Sequence, residues 1–263
     1  MKIKDITNSI EELAPLSYAE DFDNVGLLVG NYTTEVTGVL VTLDTLEATI
    51  DEAIASNCNL IVSFHPIIFG GLKKLNGNTY VERVVLKAIK NDIAIYATHT
   101  ALDNVQNGVS GKICEVLGLK NTEILIPKSN IATKETIGMG MIGELPSAMS
   151  ESDFLQFVKS TMKTDCVRHS ELLDKPIKRV AVLGGSGSFA IGNAIASNAD
   201  VYISADFKYH DFFKSEKQIL LADIGHYESE QFTKNLLVEY LTKKFTNFAV
   251  ILSEKSTNPI YYS

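Results

Sequence analysis

Gly38-Val39-Leu40-Val41-Thr42-Leu43-Asp44 (residues 38–44) is an almost unbroken apolar run that ends on a carboxylate. A run this short and this apolar is typical of a strand covered on both faces, as in a parallel sheet. Asn59–Phe64 (NLIVSF) repeats the pattern, and Ile93–Ala97 (IAIYA) repeats it again. Helical patterns separate them, over Leu46–Ser56 and Thr79–Asn91. Strands alternating with helices predict a mainly parallel sheet between helical layers.

Upstream, MKIKDITNSIEEL reads as a short amphipathic helix, not a signal peptide, since it lacks an unbroken apolar stretch. An acidic turn, Glu20-Asp21-Phe22-Asp23, then leads into an apolar strand ending at Gly30. Downstream, Gly108–Leu117 is expected to be helical and closed by Gly118. A less regular stretch, Lys120–Thr136, places a boundary between two domains, 1–125 and 126–263. A strand over Ile137–Leu145, a helix over Ser150–Met162 and a strand over Thr164–His169 follow. Arg179–Leu183 (RVAVL) then opens a second alternating series. Its strands are Val201–Ser204, Gln218–Ala222 and Asn247–Leu252. Its helices lie near Phe189–Ser197, Phe207–Ser215 and Ser229–Lys243.

The 263 residues suffice for one large or two modest domains, and 45% hydrophobic residues can build a core. A net charge of −8 argues against a general nucleic-acid binder. Cys58, Cys114 and Cys166 are odd in number and form no CxxC, so they read as buried thiols of a reducing compartment. No stretch approaches the ~20 apolar residues of a membrane span. A cytoplasmic, soluble protein is the expectation.

Four of the five histidines sit in short clusters: His65 in SFHPIIF, His99 in HTALD, His210 in DFKYH and His226 in GHYESE. Imidazoles and carboxylates are the usual ligands of zinc, iron and manganese. Glu230 lies four residues after His226 at a predicted helix start, so the two share a face. A plain capped helix with a surface His–Glu pair has the same pattern. Asp103 follows His99 at the same spacing, in a region that reads as a loop; an Asx turn would look alike. His65 ends a buried strand, where α/β sheets gather ligands. Gly185-Ser186-Gly187-Ser188-Phe189-Ala190, with Asp206 about twenty residues on, competes as a G-x-G-x-x-A dinucleotide turn. The same loop also fits anion binding, or simply a tight turn.

Taken together, AEDFDNVGLLVG, HPIIFGGLKKL, THTALDNVQNGVS, GGSGSF, ADVYISADFKYHDF and GHYESE resemble the NGG-interacting-factor-three-like family, also labelled GTP cyclohydrolase 1 type 2 homologues. They cover nearly the whole chain in order. The resemblance implies two three-layer α/β halves, with mainly parallel or mixed sheets and a dinuclear metal site in the cleft between them. It implies His65, Asp103, His226 and Glu230 as metal ligands, with His99 and His210 near the metals as proton-carrying or substrate-facing groups. It also implies one or two divalent ions (zinc, iron or manganese) per subunit, a toroidal homohexamer, and hydrolysis of a small molecule such as a nucleotide. This chain departs from the family pattern at Phe64, where a histidine is usual, and at Phe22, where a tryptophan is usual. It also lacks the inserted domain of some members. The loss at Phe64 keeps a second class open, a non-enzymatic metal-binding assembly factor or metal chaperone.

Overall fold

The computed structural model describes residues 1–129 and 136–263. Its strands are β1 (Gly26–Val29), β2 (Val39–Thr42), β3 (Leu60–Ser63), β4 (Ala94–Ala97), β5 (Lys120–Ser129), β6 (Thr136–Met149), β7 (Arg168–His169), β8 (Ile177–Ser186), β9 (Val201–Ala205), β10 (Leu220–Asp223) and β11 (Val250–Leu252). Its α-helices are α1 (Ile3–Leu13), α2 (Glu47–Ala55), α3 (Tyr80–Lys90), α4 (His99–Asp103), α5 (Val109–Val116), α6 (Glu151–Thr161), α7 (Ile191–Ala196), α8 (His226–Glu230) and α9 (Thr233–Lys244). The expected α/β class, with mixed sheets and helices, is what the chain adopts.

Two compact units form. The first, residues 1–102 and 233–259, is built on a five-stranded sheet of order β1-β4-β3-β2-β11. β4, β3, β2 and β11 are parallel, and β1 runs antiparallel at the edge. Leu40, Ile61 and Ile95 point to one face and pack with Ile50 and Ala53 of α2 and Val84, Val85 and Ala88 of α3. On the other side lie α1 and α9. The Tyr96 hydroxyl donates to Glu11 of α1 at 3.2 Å, and the Tyr240 hydroxyl of α9 donates to the Ser9 carbonyl at 2.8 Å. Two-sided burial explains why these strands read as apolar runs without alternation. Because β11 pairs with β2, the chain's last helix and strand complete the first sheet. The compact units therefore do not coincide with the consecutive stretches 1–125 and 126–263.

The second unit, residues 103–232 and 260–263, carries a six-stranded sheet of order β5-β6-β8-β9-β10-β7. β8, β9 and β10 are parallel, while β5, β6 and β7 pair antiparallel. Strand alternation splits its core in two. Val180, Val182, Val201, Ile203, Leu220 and Ala222 pack with α5 and α6, whereas Ala181, Leu183, Tyr202 and Leu221 pack with α7. α6 opens on a reciprocal cap: Ser150 Oγ accepts from the Asp153 amide at 3.2 Å and donates to its carboxylate at 2.7 Å.

Several local expectations change. Residues 120–129 of the irregular stretch form β5, and 130–135 lie outside the described residues. Pro127 disguises this strand, but β5 is at the sheet edge, where a missing amide is tolerated. His99–Asp103 is a helical turn, not a loop. Thr164–His169 is strand only at Arg168–His169, because Thr164 turns the chain by donating to the Cys166 carbonyl at 2.8 Å. That turn leaves Cys166 exposed, while Cys58 and Cys114 are buried as expected, and all three are free thiols. Residues 209–215 wind as a 3-10 helix, and the predicted helix over Ser229–Lys243 is two, α8 and α9. Among the described residues no helix is long and apolar enough to cross a membrane.

Candidate functional site

In the first unit, parallel strands β2 and β3 end side by side, with Thr42 opposite Ser63. Two residues further along each strand come Asp44 and His65. His65 Nδ1 lies 2.8 Å from Asp44 Oδ1, and the Thr257 hydroxyl donates to Asp44 Oδ2 at 2.5 Å. A carboxylate on Nδ1 selects the tautomer that leaves the lone pair on Nε2, the arrangement that metal-binding histidines use.

His99 follows β4 and starts α4. Its Nδ1 is 2.8 Å from Asp23 Oδ1, and Asp23 Oδ2 accepts from the amide and hydroxyl of Thr100. Burial by itself would raise the Asp23 pKa. The bonds from His99, Thr100 and the Asn24 amide overcome it and bring the carboxyl down to about 2. His99 has φ +29°, a strained backbone for a residue with a side chain. Its amide is fixed on the Phe64 carbonyl at 2.9 Å, and its ring on Asp23. The His65 and His99 rings lie 5.4 Å apart, and Phe64 packs against both, at 4.9 and 5.6 Å. Phe64 is 0% exposed, so the residue before His65 presents a hydrocarbon wall beside the two imidazoles.

The second unit repeats the first unit's device. Parallel strands β9 and β10 end side by side, and Asp206 and His226 follow them. His226 Nδ1 is 2.8 Å from Asp206 Oδ2, and His226 Nε2 is 3.2 Å from Glu230 Oε2. The Glu230 side chain is only 4% exposed. Burial opposes charge on His226, but the carboxylates on its two nitrogens outweigh that and hold the ring protonated up to about 11. The bond from His226 is the main reason the Asp206 carboxyl falls to about 2, with Ser186 adding to it. Ser186 donates to the same oxygen of Asp206 that holds His226.

The glycine-rich turn has an internal purpose. The Gly185 amide donates to Ser229 Oγ at 2.9 Å, and the Gly185 and Gly187 carbonyls accept from Ser204 and Tyr202. A Cβ on Gly185 would collide with Glu230 Oε1, and one on Gly187 with Ser204 and Tyr202. The glycines allow the strand end to lie against the His226–Glu230 pair. Asp206 is the carboxylate that orients His226.

Thus the structure pairs His226 with Glu230 and sets His65 beside His99. Asp103 ends α4, half-buried. His210 is exposed on the 3-10 turn, with Tyr209 and Phe213 as its ring neighbours. The pairing of Asp23, Asp44 and Asp206 with their histidines escapes a motif search, which finds Asp206 only as the acid after a glycine turn, because each is distant in sequence from its histidine. The available signal is position: Asp44 and Asp206 each end a strand 20 or 21 residues before a histidine that follows the next strand. Asp44→Asn should weaken divalent-ion binding by about 10–100-fold while leaving the fold intact. Isothermal titration with zinc measures it, and unchanged affinity would remove Asp44 from the site.

An α/β protein with carboxylate-oriented imidazoles at strand ends is the class that fold and site define. The family model Duf34/NIF3 (NGG1p interacting factor 3) matches residues 1–259, and the chain belongs to that family. It is similar to a Clostridium acetobutylicum protein named GTP cyclohydrolase 1 type 2 homolog, at 35% identity over 98% of each chain. Among solved structures it resembles the Bacillus cereus protein related to NIF3, with TM-score 0.94 and 25% identity over 100% of this chain and 99% of that one. The Staphylococcus aureus protein SA1388 superposes equally well, with TM-score 0.94, at 33% identity and the same coverage.

Proposed function

We propose that this chain is a divalent-metal-dependent hydrolase of a small molecule, with His65, Asp103, His226 and Glu230 as metal ligands. The observation that carries this reading is the repeated orientation of imidazoles by carboxylates at strand ends, with buried Glu230 against His226. The donor chemistry of His65, His226 and Glu230 suits zinc, iron or manganese. A bound divalent ion supplies water of lowered pKa and polarises a substrate oxygen or nitrogen. Glu230 and Asp103 offset the ion's charge. Asp44 and Asp206 hold the ligand rings in one tautomer. Asp23 fixes Nδ1–H of His99, so Nε2 is the atom that takes up and returns a proton. His210, exposed on its turn, serves as a substrate-facing group.

The relatives' name directs the substrate search to GTP and other cyclic amides or nucleotides. One or two ions per subunit and a ring of six 28.8 kDa copies complete the proposal. Phe64 favours one alternative, a metal chaperone or assembly factor that binds an ion without turnover, because one imidazole is replaced by phenyl. Protein stripped by chelation and reloaded with zinc, iron(II) or manganese is to be screened against nucleotides and cyclic amides. Metal-restored turnover, lost in Glu230→Gln, supports the hydrolase. Stoichiometric binding with no turnover across the screen supports the chaperone.

Ion binding must displace the proton that His226 holds on Nε2 up to about pH 11. Affinity at this ligand should therefore rise about tenfold per pH unit between pH 6 and 9. Calorimetry in two buffers of different ionisation enthalpy should show about one proton released per ion. A flat profile with no release contradicts the assignment. In the metal-free protein the sign reverses. The raised pKa of His226 stabilises the fold fully below about pH 6.5, and that contribution fades as pH rises through about 11.

A further inference from the structure

Each of the three orienting carboxylates is itself held by a hydroxyl. Asp23 accepts from Thr100, the residue after His99, and Asp206 accepts from Ser186 at the end of the neighbouring strand β8. Both donors belong to elements that already flank the site. Asp44 differs, because its donor is Thr257, 213 residues away in the segment that follows β11. That segment has no regular secondary structure, yet it is fastened to the first unit. The Ser253 amide continues the ladder with β2 by donating to the Val41 carbonyl at 2.8 Å. The Ser253 hydroxyl and the Glu254 amide donate to the two carboxylate oxygens of Glu52 on α2, at 2.5 and 2.8 Å. Lys234 of α9 donates to the Ser253 carbonyl at 2.9 Å. Further along, Thr257 is 7% exposed, and its hydroxyl reaches Asp44 Oδ2 at 2.5 Å.

The backbone around Asp44 is already tied down. The Thr42 hydroxyl donates to the Asp44 carbonyl at 2.9 Å, and the His65 amide donates to the Leu43 carbonyl at 2.9 Å. The freedom that remains is rotation of the carboxylate, a broad terminal torsion in aspartate. With His65 on Oδ1 and Thr257 on Oδ2, each oxygen carries a donor and the torsion has one setting. Threonine suits this task. Its branched Cβ restricts χ1, so the backbone decides where the hydroxyl points. A hydrogen bond to a carboxylate is also stronger than one to a neutral acceptor. We propose that Thr257 is a positioning residue: through Asp44 it fixes the aim and tautomer of His65, so that the segment after β11 sets the geometry of an imidazole just past β3. The inference rests on the reading of His65 as a metal ligand only for its consequence in ion binding. The chain of hydrogen bonds from Thr257 to His65 needs no ion.

Thr257→Val keeps the volume and branching but removes the donor, whereas Thr257→Ser keeps the donor. Thr257→Ala is read alongside, since it removes the donor without setting a methyl against the carboxylate. Long-range proton–nitrogen NMR of the metal-free protein shows which nitrogen of the neutral His65 ring carries the proton, and His65→Gln identifies the signals. The native chain should show a single Nδ1–H tautomer. Thr257→Val and Thr257→Ala should show a mixture of the two tautomers, and Thr257→Ser should restore the single form. Zinc affinity, read by calorimetry, should fall about 3–10-fold in Thr257→Val, less than in Asp44→Asn, and recover in Thr257→Ser. Ser253→Ala removes a bond from the same segment but none from Asp44, so it should leave the His65 signals unchanged. A single tautomer that survives both Thr257→Val and Thr257→Ala overturns the proposal. So does a mixture that Thr257→Ser fails to correct, and so do equal effects of Ser253→Ala and Thr257→Val, which would assign the change to loosening of the whole segment. A native chain that binds no zinc while its tautomers respond as expected supports the positioning role and rejects the metal reading, so the two fail separately.

Discussion

On the proposed assignment, His226→Ala is expected to abolish metal-dependent turnover and to lower divalent-ion affinity by at least about 100-fold, more than a variant in an orienting residue would. The chain of cause is short. β10 ends at Asp223, Gly225 turns with φ +93°, and α8 begins on His226. Asp206 fixes one nitrogen at 2.8 Å, and the other faces Glu230 at 3.2 Å. Alanine removes the proposed ligand and also the imidazolium beside a buried carboxylate. The metal-free variant should therefore lose about 1–3 kcal/mol of stability, less than a fully buried pair because the histidine is partly exposed. Adding Glu230→Gln should restore part of that loss, since no charge is then left to neutralise, yet leave ion binding abolished. Urea titrations of the two single variants and the double variant read the stability, and zinc calorimetry reads the binding. A destabilised His226→Ala that still binds zinc with native affinity would exclude it as a ligand.

Gly185→Ala tests the packing beneath the same pair. Gly185 has φ +70°, where a Cβ is disfavoured, and that Cβ would strike Glu230 Oε1. The backbone has little freedom to relax. Its amide is bonded to Ser229, and its carbonyl accepts from Ser204. A loss of about 2–4 kcal/mol is expected. Ion affinity should fall as Glu230 is driven from its place. Gly192→Ala is the matched control. It lies within α7, and its Cβ would meet nothing within 4 Å. It should be neutral or stabilise by about 0.5–1 kcal/mol. Thermal denaturation with and without zinc distinguishes the two. Equal behaviour of both variants would mean the glycine turn has no bearing on Glu230.

Much of the fold is legible because two-sided burial writes itself into sequence as apolar runs. β2, β3, β4, β8 and β9 are all of this kind, and each is flanked by a helix with a recognisable period. What stays hidden is set by partners far along the chain. β5 looks irregular because Pro127 interrupts it, and only its place at the sheet edge makes that harmless. β11 looks like the end of the second half, yet its ladder is with β2, some 200 residues earlier. No local pattern records that pairing.

At the site, the His226–Glu230 pair is legible because helix geometry fixes i and i+4 locally. The orienting carboxylates are not, because parallel strands bring Asp44 to His65 and Asp206 to His226 only after a whole strand–helix–strand unit has folded. The shared spacing of 21 and 20 residues reflects that unit's length. The same geometry explains the glycine turn, whose dinucleotide-like spacing follows from one strand end packing against Glu230 while the next carries Asp206.

Counting divalent ions per chain, by elemental analysis after chelation, reloading with zinc and gel filtration, addresses the central claim most directly. One or two tightly held ions in the native protein, and none in Glu230→Gln, is the predicted result. A native protein that emerges without zinc, or a Glu230→Gln variant that keeps the full complement, would contradict it.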